Sequence, residues 1–392
     1  MALPKLLFYT HGLVDGGAER LWSCLASAFK QRGYDVTFAV DFDAPDNAAN
    51  LDPAIPVTVL GRNHALATKR LAEMLRAEKP DVALSAVGAA NLKLMTALGL
   101  ARSTARSIIT FHGSVEPSSG LLAYLSYRGL PVLSRRAGRT VAVSEGLGAE
   151  LVTKWRSDPG RTSVIINPVY FPKTAPVPSH EELGSRPDVI LAAGRMSPEK
   201  DFVTLIQAFA HLNRPGAELI ILGKGPDRAK IEAEVRRLGL EKTVSMPGYC
   251  TEPWLHYQRA KCLVSSSKSE LFGNTIVEAM AYGLPVVATA CVGPQEIIRN
   301  SAHGSLVPIA NPIALAKAMG EALDNPGDPQ ARRARADQFS FEARVPAYEA
   351  LITDVLAGQG PQRGRLSQVW QHSMLRLAAK SEHHEFDSVK KV

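Results

Sequence analysis

Apolar positions fall into two regimes along this chain. Short unbroken runs of four to six apolar residues read as strands buried on both faces, and longer stretches with an apolar residue every three or four positions read as helices. The first run is 5–10; the helical stretch 18–32 follows, with Leu21, Trp22, Leu25, Ala28 and Phe29 on one face. Further runs at 36–40, 56–60, 81–85, 107–111 and 140–143 alternate with helical patterns. Such alternation predicts a parallel, doubly wound sheet. The run 164–169 closes this half, and the proline-rich, aperiodic stretch that follows predicts a linker. The alternation then restarts: runs at 189–194, 218–222, 244–249, 262–265 and 284–288, helices at 202–212, 274–281 and 311–323, and helical patterning over 329–356. The expected division is 1–170, a linker 171–187, a second domain 188–340, a closing helix 341–358 and a basic tail 359–392.

Composition agrees with two cores, since 392 residues at 45% hydrophobic exceed what one ordinary domain needs. Cys24, Cys250, Cys262 and Cys291 show neither CxxC nor Cys/His spacing and read as reduced core residues of a cytoplasmic protein. No run approaches the ~18 apolar residues of a membrane span, and the start lacks the basic and apolar segments of a signal peptide. The net charge is +7, and between Arg62 and Arg139 twelve Lys/Arg face four acids, a local +8. That patch reads as a solvated basic face, as a docking face for an anionic membrane such as the inner leaflet of the plasma membrane, or as a site for a phosphorylated acceptor. Nucleic acid is excluded as a partner, because no binding motif accompanies the charge.

The densest candidate chemistry lies in 262–289, a strand, loop, helix, strand unit. The loop carries Glu270, Phe272 and Gly273, the helix opens with Asn274 and Thr275, and Glu278 stands one turn in. Loops at the carboxyl ends of parallel strands lie beside helix N-termini, whose free N–H groups attract anions. Carboxylates repel phosphates but suit hydroxyls. Glu278, leaning back toward the N-terminus, could reach a ribose, and Glu270 a second sugar. The alternative is a Glu278 that complements the helix dipole, worth ~0.3–1 kcal/mol, and a solvated Glu270. After the run 189–194 come Gly194, Arg195 and Lys200, a planar fork and a point charge suited to a diphosphate. Gly223-Lys224-Gly225 and Tyr249 end the next two runs, His112 ends the run 107–111, and Gly16-Gly17 open the first helix without forming a GxGxxG fingerprint. Asp41-Phe42-Asp43 is a DxD of the kind that binds metal, discounted as a short match in an acidic loop. Glu296 reads as a helix cap or as a weaker ligand.

The string from Ser269 to Ala288 resembles the E-x7-E segment of the retaining glycosyltransferases of family 4, and Gly194, Arg195 and Lys200 match their G-R-x-x-x-x-K segment. The resemblance implies the α/β GT-B fold: two Rossmann-like, doubly wound parallel-sheet domains facing a cleft, with a last helix crossing back to the first domain. It implies transfer of a hexose or N-acetylhexosamine from a nucleoside-diphosphate sugar, UDP by family frequency, to a hydroxyl of a glycan or lipid-linked acceptor. His112, Arg195, Lys200 and Glu270 take the catalytic roles. Gly16, Gly17, Gly194, Gly225, Tyr249, Phe272, Gly273, Asn274, Thr275 and Glu278 take the donor, and neither metal nor cofactor is expected. A sugar-nucleotide epimerase on the same scaffold is the nearest alternative. A dehydrogenase lacks its fingerprint here, and a two-domain sugar-binding protein would not need Arg195, Lys200 and the paired acids.

Overall fold

The structure is a computed structural model that describes residues 3–14, 17–44, 47–113 and 120–358. The first unit runs β1 (Lys5–Thr10), α1 (Gly17–Gln31), β2 (Asp35–Val40), β3 (Val57–Val59), α2 (His64–Glu78), β4 (Val82–Ala86), α3 (Gly88–Ala101), β5 (Arg106–Phe111), α4 (Leu121–Arg128), α5 (Leu130–Arg136), β6 (Arg139–Ala142), α6 (Glu145–Thr153) and β7 (Thr162–Val164). Its seven strands are parallel in the order β3-β2-β1-β4-β5-β6-β7. The order reverses between β1 and β4, where open parallel sheets leave a crevice.

The second unit repeats the plan through α7 (His180–Gly184), β8 (Val189–Ala193), α8 (Phe202–Leu212), β9 (Glu218–Leu222), α9 (Arg228–Arg237), β10 (Val244–Gly248), α10 (Pro253–Arg259), β11 (Cys262–Ser265), α11 (Asn274–Ala281), β12 (Val286–Thr289), α12 (Val292–Ile297), β13 (Ser305–Val307), α13 (Pro312–Asp324) and α14 (Pro329–Asp337). Six parallel strands lie in the order β10-β9-β8-β11-β12-β13. The central strands of both sheets are buried on both faces, which is why they read as apolar runs.

The stretch 171–187 is packed rather than free. Phe171, Ala175 and Leu183 join the core beneath α11, and Ser179 and Glu182 form a reciprocal capping box at the start of α7. The last helix, α15 (Phe341–Leu356), returns to the first unit, placing Val345, Tyr348, Leu351, Ile352 and Val355 among the β1, β2 and α1 side chains. At about 1.5–3 kcal/mol of transfer free energy per buried side chain, this is a strong anchor before chain entropy is counted. The four cysteines are unpaired, with Cys24, Cys262 and Cys291 buried.

Two members of the basic stretch leave the surface. Lys93 is buried against Asp41, and Arg139, 7% exposed, donates to the Gly138 carbonyl. The exposed cations include Arg128, Arg135 and Arg136 on α4 and α5, beside exposed Leu121, Tyr124, Leu125 and Val132. No described helix is long and apolar enough to cross a membrane. The tail 359–392 lies outside the described residues.

Candidate active site

The chain turns into α11 at Gly273, whose φ of 108° suits glycine, and no side chain caps the helix. The first-turn N–H groups of Asn274 and Thr275 therefore lack helical partners and offer an anion site. The preceding loop is pinned from behind: Gly293 N–H donates to the Glu270 carbonyl at 2.8 Å, and a Cβ on Gly293 would lie 2.3 Å from the Phe272 backbone. The Phe272 ring, 4% exposed, turns away from the cleft onto Phe339, with centroids 5.6 Å apart.

Lys200 ends the single 3-10 turn Pro198–Lys200 after β8 and donates to Glu270 Oε2, with both side chains partly exposed. Ser266 Oγ donates to the Lys200 carbonyl at 2.9 Å and ties the β8 and β11 loops together. The Lys200 stem lies over Gly194, 3.6 Å from where a Cβ would stand. Arg195 is exposed on the same loop, and its guanidinium has no bonded partner among the described residues. Gly225 serves close loop packing, since its Cβ would fall 2.3 Å from the Met196 carbonyl. Tyr249, 39% exposed, sits beneath the Lys224 ammonium, 5.4 Å from the ring centroid.

The first unit faces this edge directly. A Cβ on Gly17 would stand 3.1 Å from Asn274 Nδ2, and Asn167 Nδ2 donates to Asn274 Oδ1 at 3.4 Å. Gly16 lies outside the described residues. The Glu278 carboxylate is already engaged: Tyr257 OH donates to Oε2 at 2.6 Å, and Arg20 of α1 donates to Oε1 at 3.2 Å. Glu296 does cap a helix, but one belonging to the other unit. Its oxygens accept the N–H groups of Gly146 at 2.9 Å and Glu145 at 3.1 Å, at the start of α6. Burial raises its pKa above the ordinary range despite those bonds.

His112, at the end of β5, has a definable tautomer. Thr110 Oγ1 gives its proton to the Ser85 carbonyl at 2.9 Å, so it must accept from His112 Nε2, also at 2.9 Å. Nδ1 is then the acceptor, shut away from water and without a hydrogen-bond partner among the described residues. Burial pushes the ring pKa down to about 4, so the imidazole is neutral at pH 7. Trp22 braces it edge-on, centroids 6.1 Å apart. A neutral acceptor with a free lone pair is suited to a hydroxyl.

Asp41, the buried member of the DxD, accepts from Tyr9 OH at 2.7 Å, His11 Nδ1 at 2.7 Å and Lys93 Nζ. Those three donors hold its pKa below the usual carboxylate value against the effect of burial.

Comparison with known proteins fits both halves. The family model described as Glycosyltransferase Family 4 matches residues 15–170, and that described as Glycosyl transferases group 1 matches 178–339. The chain belongs to glycosyltransferase family 4. A lipopolysaccharide core biosynthesis glycosyltransferase of Rhizobium meliloti, LpsE, is 27% identical over 366 residues, spanning 86% of this chain and 96% of that protein. A lipopolysaccharide 1,6-galactosyltransferase of Salmonella typhimurium is 33% identical over 173 residues, 42% of this chain and 47% of that one. Anabaena HepE, solved with UDP and glucose, superposes with a TM-score of 0.76 at 21% identity, covering 91% of this chain and all of that one. The fold is GT-B, and this glycosyltransferase has relatives in lipopolysaccharide and exopolysaccharide synthesis.

Within the glycosyltransferase site, sequence reasoning missed Arg20, Tyr257 and Asn167. Arg20 sits three residues beyond Gly17 and reads as an ordinary polar helix position, while Tyr257 reads as core. Neither carries a local signal, because the partner of each is set by how elements far apart in sequence pack.

Proposed function

We propose that this glycosyltransferase moves a hexose or N-acetylhexosamine from a UDP-sugar to a hydroxyl of a glycan or lipid-linked acceptor, with retention of the anomeric configuration and without a metal. The observation that carries the reading is the Lys200–Glu270 pair beside the uncapped N-terminus of α11, opposite Gly17. In this scheme the diphosphate enters between the α11 amides, Arg195 and Lys200. Their positive groups stabilise the charge that develops as the sugar–phosphate bond breaks. Glu270, released in part from Lys200, accepts sugar hydroxyls, and His112 Nδ1, covered in the free protein, accepts another once donor binding uncovers it. Glu278 holds the ribose, exchanging its contact with Arg20 for a hydroxyl. No side chain in this arrangement serves as covalent nucleophile, and the departing diphosphate takes the acceptor proton. UDP is preferred because HepE binds it with glucose.

Thermal unfolding with UDP, GDP, ADP and NAD, each with and without EDTA, tests the donor. A ligand at 100 times its Kd adds about 2.7 kcal/mol. Stabilisation by UDP should survive EDTA and weaken in Lys200→Ala. A response to NAD alone, or dependence on the metal removed by EDTA, would refute this reading.

The basic, partly apolar face of α4 and α5 supports an anionic membrane as the place where the acceptor is met. Sedimentation with phosphatidylglycerol vesicles should fall when Arg128, Arg135 and Arg136 are changed to Glu; unchanged sedimentation would remove the membrane from the proposal.

A further inference from the structure

At the carboxyl edge of β1, β2 and β3, beside the crevice between β1 and β4, stands a second cluster of titratable groups outside the donor site. Asp41, 1% exposed, is its centre, and its negative charge is matched by buried Lys93. Tyr9 and His11 complete its hydrogen bonds, each at 2.7 Å. Accepting from Nδ1, Asp41 fixes the His11 ring so that Nε2 points elsewhere, and that nitrogen has no partner among the described residues. The His11 side chain is 42% exposed, so it opens toward solvent.

Phe42 positions an imidazole and a guanidinium at once. His11 meets its ring edge-on, centroids 4.8 Å apart, and the Arg62 guanidinium lies 4.5 Å over its centroid. Phe42 is in turn held by close approach of Gly12, where a Cβ would lie 2.9 Å from the ring. His64, at the start of α2, brings its ring to 6.4 Å from that of His11. Arg62 and the His64 side chain have no acidic partner among the described residues, and the neighbouring acid Asp43 is exposed and forms no ion pair among them. Asp41 is shared between Lys93 and His11; Arg62 and His64, which no acid among the described residues engages, stand near His11 Nε2, a nitrogen that donates to an anion in the imidazolium form. Two imidazoles and a guanidinium gathered about the Phe42 ring supply the groups that bind an oxyanion.

We propose that His11, His64 and Arg62 form an acceptor subsite for an anionic substituent, a phosphate or a carboxylate carried by the acceptor sugar. Asp41 and Phe42 are its positioning residues. The word acceptor rests on the glycosyltransferase reading; the anion site itself rests on this geometry alone. A guanidinium fork pairs with either oxyanion, so the two sources are separated by experiment.

The test is histidine-ring NMR of the full chain at constant pH, saturated with UDP to close the donor site, and titrated with inorganic phosphate or, separately, acetate. Two of the ten histidines, identified by His11→Gln and His64→Gln, should shift saturably, and Arg62→Gln should weaken the binding about tenfold or more while leaving the UDP response unchanged. A response to phosphate alone identifies a phosphorylated acceptor; a response to acetate as well identifies a carboxylate-bearing one. Absence of shifts at His11 and His64 with both anions, or equal affinity in Arg62→Gln, overturns the subsite. Release of the anion by UDP likewise overturns it, since the anion then occupied the donor site. Anion binding at His11 and His64 in a protein that ignores UDP supports the subsite and refutes the donor reading instead.

Discussion

His112 offers a measurement whose size follows from the structure. Its ring is neutral because burial pushes the pKa down to about 4 from an ordinary 6.5. For a base with a depressed folded pKa, stability is fully present above the unfolded pKa and is lost as pH falls toward the folded one. The window is therefore about pH 6.5 to 4. A shift of about 2.5 units at ~1.36 kcal/mol per unit amounts to about 3.4 kcal/mol over the whole window, and to roughly 2.5 kcal/mol at pH 4.5. These are upper values, because the residue keeps part of its surface in water. His112→Gln removes the titration but keeps an amide able to donate to Thr110. Urea unfolding at pH 7.5 and 4.5 should show the natural protein losing about 2 kcal/mol more than the variant on acidification, and ring NMR should show His112 titrating well below 6. Equal losses in both proteins, or a ring that titrates near 6.5, would refute the buried, neutral imidazole and with it the acceptor role of Nδ1.

Tyr348 on α15 buries its hydroxyl without a partner among the described residues, so Tyr348→Phe should be neutral or stabilising, by up to about 1 kcal/mol in urea unfolding; a loss above that size would mean the hydroxyl is bonded. Gly293→Ala should cost about 1–3 kcal/mol and blunt stabilisation by UDP, because its methyl would push against the Phe272 backbone and displace Glu270. An unchanged melting temperature and UDP response would show that the loop yields freely.

Much of the architecture was legible because of how parallel sheets are covered. A strand buried on both faces must be apolar throughout, and runs such as 5–10, 218–222 and 262–265 coincide with β1, β9 and β11. β7, Thr162–Val164, overlaps the expected run 164–169 only at Val164, since its Thr and Ser form no apolar run and it lies at a sheet edge. The capping residues Asn63, Ser144, Asn311 and Ser340 act within three residues of their own position, so these helix starts are set by local chemistry.

The chain alone determined the two alternating halves, the loops that end their strands, and the Lys, Arg and Glu residues those loops carry. It did not determine what each charge meets. Arg20 and Glu278 are 258 residues apart in sequence, and Glu296 caps a helix that begins 151 residues earlier. The DxD at Asp41 was discounted as a metal motif on sequence grounds alone, but that Tyr9, His11 and Lys93 close around Asp41 was not readable there. Periodicity and capping are written locally, because burial on a helix or strand face repeats every few residues. Pairing between charges depends on distance in space, which the chain acquires only when the two sheets face one another across the cleft.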